Sequence, residues 1–226
     1  MENIDYIKSQ EWQNLTLDEK NYARGLWGEF ALNRALNAGL GAVRFGDHAE
    51  GHSVFLFDRI HVPTYNGGTT EIDSLLISQK GVFCFEVKSW GGEAVFGERN
   101  SDEWFTAKSN GRNPGVKSHR MKNPFGQNDY HARHLKNLLP QPVVEQALYG
   151  IVLLIDASPF GISPGRWAGA EIDGLFTDTD AIVKSINAAP YIMSGKRVYE
   201  ISQALSKFPY GHEFRSLGSG IALPNF

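Results

Sequence analysis

Hydrophobic residues recur along the chain with two different periods, and each period predicts a different kind of element. Apolar residues three to four positions apart predict a helix over 18–40, which Asp18 suits at its start and Gly39 and Gly41 at its end. Alternating or continuous apolar runs that are bounded by turn residues predict strands instead. The strands are expected at 53–62, 71–78, 82–89, 94–99, 103–108, 147–155 and 172–176.

The rest of the pattern predicts three more helices, which are separated by loops. Pro124 is suited to the first turn of a helix, and Asp178 is suited to cap another. Residues 109–123 and 158–169 contain Gly, Asn, Ser and Pro at the density of loops. Helices and strands in this order predict an α/β fold, with a mixed central β-sheet flanked by helices. The three helices are expected over about 124–139, 179–187 and 195–208.

Composition limits the class of protein. A length of 226 residues fits one domain, and 42% hydrophobic residues, with 14 Phe and 5 Trp, suffice for a packed core. The single cysteine, Cys84, excludes an internal disulfide framework and a cysteine-based zinc site. The apolar run 148–155 is too short to cross a bilayer, and the N-terminus does not have the pattern of a signal peptide. We therefore expect a cytoplasmic protein with no membrane partner.

Charge is distributed unevenly along the chain. Residues 1–103 contain 9 Lys and Arg against 16 Asp and Glu, whereas residues 104–226 contain 13 against 9. Residues 104–128 contain no acid at all. This segment has two interpretations of about equal weight, a surface that binds nucleic-acid phosphates or a solvated loop. Its basic residues are Lys108, Arg112, Lys117, Arg120 and Lys122.

The strand predicted at 82–89 ends in charged residues, although it begins apolar on both faces. A strand that is apolar on both faces is expected to be central and covered on both sides. Glu86 and Lys88 then continue a buried row, where a charge is costly unless it is paired or binds a metal. A simple ion pair between these two residues at the sheet margin is the plainer interpretation.

Asp73 gives weight to the alternative of a metal site. If the hairpin closes with Ser78 opposite Gly81, Asp73 lies directly across from Glu86. If a bulge forms at Gly81 instead, Asp73 lies opposite Val87 and on the other face. In the first register two carboxylates and an ammonium group meet. A hard cation such as Mg²⁺ would remove the repulsion between the carboxylates.

Two further polar residues stand out on the predicted helices. Glu29 lies in the middle of the apolar stripe of the first helix, beside Asn33, and a buried glutamate is rare. Gln127 lies in the first turn of the helix that Pro124 opens, where an amide can hold a water or a phosphate oxygen. An ordinary polar first turn is the alternative for Gln127, and a helix edge that dips into solvent is the alternative for Glu29.

His131 and His134 share the stripe of Gln127 and raise the question of zinc. A zinc site would need a third ligand, for which His119 is the candidate. An exposed polar helix face is the favoured interpretation of these histidines. Cys84 is interpreted as a small buried core residue rather than a nucleophile.

Taken together, these residues resemble the nuclease-related domain (NERD) family, a branch of the PD-(D/E)xK nuclease superfamily. The resemblance covers roughly residues 20–155, with a looser match to about 190. Ile72 precedes Asp73 where the superfamily has a proline. The resulting Glu-Ile-Asp sequence is the form found in the NERD branch. The motifs are Gly28-Glu29, Glu71-Ile72-Asp73, Gly81-Val82-Phe83 followed by Glu86-Val87-Lys88-Ser89-Trp90, and Asn123-Pro124 followed by Gln127.

The resemblance implies a restriction-endonuclease-like core and a role for each matching residue. Asp73 and Glu86 would be metal ligands for Mg²⁺ or Mn²⁺, and Lys88 would be the catalytic lysine. Glu29 and Gln127 would be accessory site residues. The mechanism expected for such a site adds the main-chain carbonyl of Val87 to the metal ligands, and Glu29 as the holder of a second metal or of metal-bound waters.

The sequence therefore predicts a metal-dependent nuclease that acts on DNA, with RNA as the other substrate to test. Two alternatives remain open, an inactive nucleic-acid-binding or regulatory module on the same fold and a structural domain that binds a protein partner. A homodimer and a helicase or another DNA-processing partner are further expectations. The expected organisation is an N-terminal extension (1–17), a nuclease-related domain (18–190) with an insertion (91–122), and a C-terminal helix and tail packed on it (191–226).

Overall fold

A mixed sheet of eight strands forms the centre of the protein. The structure is a computed structural model and describes residues 13–45, 51–109, 116–140, 143, 147–160 and 174–211. Its strands are β1 (Val43–Arg44), β2 (Val54–Pro63), β3 (Thr69–Ser78), β4 (Gly81–Phe96), β5 (Glu103–Ser109), β6 (Val116–Lys122), β7 (Leu148–Phe160) and β8 (Gly174–Phe176). Its helices are α1 (Leu17–Leu40), α2 (Pro124–Lys136), α3 (Thr179–Ala188) and α4 (Gly195–Leu205).

Strand β4 is the central strand of this sheet, because three other strands pair with it. β3 runs antiparallel to its first half, and β5 runs antiparallel to its last residues. β7 runs parallel to β4 along most of its length, with a shift of register between Ser89 and Glu93. β2 and β1 continue the sheet beyond β3, β6 continues it beyond β5, and β8 lies beyond β7. The predicted mixed α/β fold is confirmed.

Hydrophobic residues on the two faces of the sheet form separate clusters. On one face, Val82 and Cys84 of β4 pack with side chains of α2 and α4, such as Leu135 and Ile201. On the other face, Phe83, Phe85 and Val87 of β4 pack with side chains of α1 and α3. The first half of β4 is therefore covered on both sides, as its two apolar faces predict. α4 also packs against this core, whereas residues 212–226 lie outside the described residues.

The long helix α1 begins and ends as its sequence predicts. Thr16 and Glu19 form a capping box, and Gly41 adopts a left-handed conformation (φ 65°) just beyond the last turn. At Gly28 the helix comes so close to β4 that an added Cβ would lie 3.1 Å from Cγ1 of Val87. This close approach brings the next residue, Glu29, down to the sheet.

Several predicted boundaries are wrong, and most of the errors lie around the second half of β4. The strand expected at 94–99 is the end of β4 itself, and the loop expected at 109–123 contains β6. β7 runs on to Phe160, into the loop expected at 158–169. Residues 91–96, 103–109 and 116–122 thus continue the central sheet within the segment that was expected to be an insertion. Pairing with a neighbouring strand overrides the weak local preference of these segments.

The β5–β6 hairpin is anchored by one large aromatic residue. Trp104 is fully buried and packs edge-on against Phe125 in the first turn of α2, with a distance of 5.7 Å between ring centroids. Asn123, the N-cap of α2, donates side-chain hydrogen bonds to the main-chain oxygens of Arg99 and Ser101. The turn before β5 and the start of α2 are therefore joined directly. No described helix has the length and apolar character needed to cross a membrane.

Gly81 fixes the register of the β3–β4 hairpin, and its replacement by alanine should destabilise the fold. Gly81 has φ 144°, and an added Cβ would lie 2.8 Å from the main-chain oxygen of Ala147. We expect Gly81→Ala to lower the free energy of unfolding by roughly 1–3 kcal/mol, measured by chemical denaturation. Gly25→Ala is the matched control, because a Cβ on this helical residue meets nothing within 4 Å. It should stabilise the protein by about 0.5–1 kcal/mol; equal effects of the two variants would contradict this role of Gly81.

Candidate functional site

The β3–β4 register brings two carboxylates to the same place. Ser78 pairs with Gly81, and the ladder continues to Ser74 opposite Phe85. In this register the next two residues are Asp73 and Glu86, so the first of the two predicted registers is the observed one. Backbone pairing ends at that point, and the two acids lie where the strands begin to separate.

Asp73 takes the place of a backbone acceptor at this margin. Its Oδ2 accepts a hydrogen bond from the main-chain N–H of Val87 at 2.7 Å. This bond holds the carboxyl group of Asp73 against β4 at Val87, the residue between Glu86 and Lys88. The position of the Asp73 side chain is therefore fixed by the sheet itself rather than by a flexible loop.

Glu86 is almost completely buried and is flanked by two potential cations. Its side chain is 2% exposed, and Oε1 forms an ion pair with the ammonium group of Lys88. Its second oxygen, Oε2, lies 3.2 Å from Nε2 of His131. No described group makes a well-formed hydrogen bond to Oε2. One oxygen of Glu86 is thus neutralised by the lysine, whereas the other retains coordinating capacity.

His131 is the residue of this site whose role the sequence interpretation missed. Its Nδ1 lies 2.8 Å from Oγ1 of Thr70, and its other nitrogen faces Glu86. The side chain is 12% exposed, and His134 is buried as well, so the prediction of an exposed polar face is wrong. The available signal was that His131 lies one helical turn after Gln127, on the same stripe of α2.

Glu29 approaches the same margin from the opposite face of the sheet. It is 8% exposed, and Oε2 is buried with no hydrogen-bond partner among the described residues. The predicted position of Glu29 in the buried stripe of α1 is confirmed. One turn later, Asn33 donates a hydrogen bond to Asp58 and accepts one from Ser74, which ties α1 to β2 and β3.

Arg59 supplies a further positive charge beside Glu29. Its backbone is left-handed (φ 47°) within β2, a conformation that is costly for a residue with a side chain. The guanidinium group donates from Nη2 to Oε1 of Glu71 at 2.6 Å and lies 5.9 Å from the ring centroid of Tyr22. His61 contacts the other oxygen of Glu71 at 3.1 Å. Glu71 is therefore engaged in ion pairing outside the Asp73–Glu86 pair.

The buried acids perturb one another. Burial, reinforced by the negative charge of Glu86, raises the pKa of Asp73 to about 7. Burial also raises the pKa of Glu29 to about 8, and the charge of Asp73 adds to this effect. For Glu86 burial acts in the same direction, but contacts with His131 and Lys88 outweigh it and lower the pKa below its ordinary value.

Lys88 responds in the opposite sense to this surplus of negative charge. Burial would lower the pKa of Lys88, but the carboxylates of Glu86 and Asp73 outweigh burial and raise it. The lysine is therefore held as an ammonium group. Asp73, Glu86 and Glu29 are three acids beside the single ammonium group of Lys88. This excess of acidic groups favours the binding of a cation.

The donor groups fit a hard divalent cation better than zinc. Asp73 and Glu86 offer carboxylate oxygens, and the buried Oε2 atoms of Glu86 and Glu29 lack hydrogen bonds among the described residues. Oxygen donors of this kind suit Mg²⁺ or Mn²⁺. Within the described ranges, no three His, Cys, Asp or Glu side chains form a metal-binding group. The side chains therefore supply two close carboxylates, and neither His134 nor His119 completes a zinc site.

Gln127 lies beside this site, in a cleft at the start of α2. The cleft has a volume of about 560 Å³. His131 lines it and contacts Glu86, so one wall of the cleft adjoins the acidic cluster. The exposed Lys122 also lines the cleft. The remaining lining residues are Thr70, Ser101, Asp102, Asn123, Gly126 and Tyr130.

Four of the five predicted nucleic-acid-binding cations lie on the paired strands β5 and β6 rather than in a loop. Lys108 is opposite Lys117 in the β5–β6 register. Arg120 is 74% exposed, with Nη1 3.5 Å from Oε2 of Glu103. Arg112 lies outside the described residues. The solvated-loop interpretation is wrong for 116–122, because these residues form β6.

Comparison with known proteins agrees with the motifs. The family model of the nuclease-related domain matches residues 24–155, which is more than half of the chain. An uncharacterized protein of Bacillus anthracis is 29% identical over 103 residues, which cover 43% of this chain and 43% of that relative. The chain thus matches less than half the length of this relative. No solved structure matches the chain significantly.

The raised pKa of Glu29 predicts a stability that falls with rising pH. An acid whose pKa is raised in the folded state binds more protons folded than unfolded, so stability is lost between about pH 4.5 and pH 8. In EDTA the loss should be on the order of a few kcal/mol by denaturant titration. Glu29→Gln should reduce the change in the free energy of unfolding with pH. A smaller change should remain, because the pKa of Asp73 is also raised. The exposed-site control Glu103→Gln should follow the wild type, and an unchanged slope in Glu29→Gln would refute the assignment.

Proposed function

Because this chain belongs to the nuclease-related domain family, we propose that it is a metal-dependent nuclease that hydrolyses the phosphodiester bonds of DNA. The main support is the register of β3 and β4, which sets Asp73 across from Glu86, with Lys88 paired to Glu86. Two carboxylates and one ammonium at a buried sheet margin are an expensive arrangement for an ordinary structural ion pair. The same groups suit a reaction in which negative charge builds up on a phosphate.

A phosphodiester resists hydrolysis because its oxygens repel a nucleophile and its alkoxide is a poor leaving group. Asp73, Glu86 and the main-chain carbonyl of Val87 would hold Mg²⁺ or Mn²⁺. When bound, the cation would lower the pKa of a coordinated water and neutralise charge on the phosphate. The hydrogen bond from the N–H of Val87 to Oδ2 of Asp73 keeps one carboxyl oxygen fixed and leaves Oδ1 for coordination.

Lys88 is proposed as the group that faces the scissile phosphate. The side chain of Lys88 is 25% exposed and its ammonium contacts Oε1 of Glu86, so the lysine links the buried acid to the solvent side of the site. From there it would stabilise developing negative charge and orient the attacking water. Glu29 would hold further waters, or a second cation, from the α1 side.

Gln127 and the hairpin cations would bind the substrate. Gln127 lines the same cleft as His131, which contacts Glu86, and there its amide would hold a water or a phosphate oxygen. The exposed Arg120 and Lys122 would contact phosphates farther along the backbone. The cations Lys108, Arg112 and Lys117 of the same segment would do so as well. Binding through these cations should weaken as the salt concentration rises.

His131 is proposed as a positioning residue for Glu86. It is fixed by Thr70 on one side and faces Oε2 of Glu86 on the other. A residue that orients a metal-binding carboxylate affects metal affinity without touching the substrate. This role is independent of the zinc hypothesis, because His131 acts here through Glu86.

Asp73→Asn should abolish most of the cleavage of supercoiled plasmid DNA in Mg²⁺ or Mn²⁺. The amide oxygen still accepts the hydrogen bond from Val87, but the negative charge is lost. We expect cleavage to fall by roughly 100-fold or more. Glu200→Gln on α4 is the control, since its carboxylate is on the surface and pairs with Arg197 and Lys196.

Three outcomes of this assay separate the possible functions. Cleavage by the wild type that EDTA abolishes and Asp73→Asn removes supports the proposal, and single-stranded DNA and RNA tested alongside define the substrate. Equal cleavage by Asp73→Asn and the wild type would place the activity elsewhere. DNA binding with no cleavage in either cation would favour an inactive binding module.

His131→Ala should raise the Mg²⁺ concentration needed for half-maximal cleavage. The loss of one orienting contact to a metal-binding carboxylate commonly costs about 10- to 100-fold in metal affinity or activity. Thr70→Val should shift the metal dependence in the same direction but less, because His131 itself remains. A merely structural role for His131 would lower the melting temperature and leave the metal dependence of the folded enzyme unchanged.

A further inference from the structure

An aromatic pair and an arginine form a row across three strands at the far end of β4. Phe96 on β4 pairs with Phe105 on β5, and Phe105 pairs with Arg120 on β6. Residues directly opposite one another in antiparallel strands project from the same face of a sheet. Phe96, Phe105 and Arg120, here named the Phe96 row, are therefore side by side on one face.

The Phe96 row is exposed although the opposite face of the same hairpin is buried. Phe96 and Phe105 are each 40% exposed, whereas Trp104 and Val95, their neighbours in sequence, are fully buried against Phe125. The core needs only one face of these strands, so an ordinary hairpin would carry polar residues on the other. One exposed phenylalanine is common on protein surfaces, but two in direct register form a continuous aromatic surface.

The charges around the Phe96 row favour a polyanion. The guanidinium carbon of Arg120 lies 5.9 Å from the ring centroid of Phe105. Lys122 lies two residues farther along β6, opposite Glu103. Glu103 is the acid that contacts Arg120, at 3.5 Å, and both side chains are more than half exposed, so this ion pair is weak.

We propose that the Phe96 row binds a single-stranded segment of nucleic acid, whose bases stack on Phe96 and Phe105 while Arg120 contacts the backbone. Aromatic residues on a sheet surface beside cations bind single strands because each unpaired base presents an open face for stacking. A duplex hides these base faces and would gain only the phosphate contacts. The surface therefore discriminates between the two forms of substrate.

The Phe96 row and the proposed active site share strand β4. β4 passes through Glu86 and Lys88 and continues as one strand to Phe96. Eight residues separate Lys88 from Phe96, at most about 26 Å along a strand. Val95 packs with Val152 and Leu154, the strand partners of Glu86 and Lys88, so the Phe96 row lies on the opposite face of the sheet from these two side chains. This inference rests on the proposed function for its biological meaning, but the binding itself is measurable without cleavage.

Binding of a fluorescent oligothymidine by the full chain in EDTA tests the proposal. Phe105→Ala should weaken the affinity for the single strand by about 5- to 100-fold, as expected for the loss of one stacked base. Affinity for a duplex of the same length should change little. Phe105→Tyr should retain single-strand binding. Tyr191→Ala, which removes a 74%-exposed aromatic residue elsewhere, should leave it unchanged.

Arg120→Gln provides a second variant that does not depend on the packing of an aromatic ring. This side chain is 74% exposed, and its loss should weaken binding and reduce its salt dependence. The proposal is overturned if the wild type does not bind the oligonucleotide, or if Phe105→Ala weakens single-strand and duplex binding equally. It is also overturned if the wild type is a dimer that Phe105→Ala dissociates without loss of DNA binding.

The failure of this inference and the failure of the proposed function are distinguishable. Single-strand binding that Phe105→Ala removes, in a wild type that cleaves nothing, supports the Phe96 row and refutes the nuclease. Cleavage that Asp73→Asn removes, with oligonucleotide binding unaffected by Phe105→Ala, supports the nuclease and refutes the Phe96 row.

Discussion

Two carboxylates that face each other at a buried sheet margin impose the constraint on which the rest of the site depends. Asp73 and Glu86 repel each other and are removed from water, so each ionised acid raises the cost of ionising the other. The structure offsets this cost locally, with the ammonium of Lys88 on one oxygen of Glu86 and the N–H of Val87 on Asp73. The compensation is incomplete, because the pKa of Asp73 remains raised. A divalent cation would remove this remaining penalty.

The sheet holds this arrangement because both of its faces are packed. Helix α1 covers one face and delivers Glu29 to the margin, where the close approach at Gly28 sets its depth. Helix α2 covers the other face and delivers His131 to Glu86, with Thr70 of β3 fixing the ring. The groups of the site therefore come from three layers of the fold, and their relative positions depend on how tightly both helices pack against β4.

The length of β4 explains how a cluster of acids coexists with a surface for a polyanion. The first half of the strand is buried and presents the carboxylates. Its last residues pair with β5 and extend the sheet toward the β5–β6 hairpin, in which basic residues outnumber acids. The negative and positive regions are thus separated along one strand. In the proposed function, a nucleic acid would be held at the positive end, and the acidic end would bind a cation and the reacting phosphate.

Local pattern by itself determined the features that depend on neighbouring residues. The stripe of α1 placed Glu29 in a buried position, and the turn between Ser78 and Gly81 gave a choice of two registers, one of which sets Asp73 across from Glu86. Only the tertiary structure selected that register and brought His131 of α2 to Glu86, because this contact joins segments 45 residues apart. It also turned 116–122 into a strand and aligned Phe96 with Phe105 and Arg120. These features arise from pairing and packing between distant segments, whose free energy is not contained in the local preference of either segment.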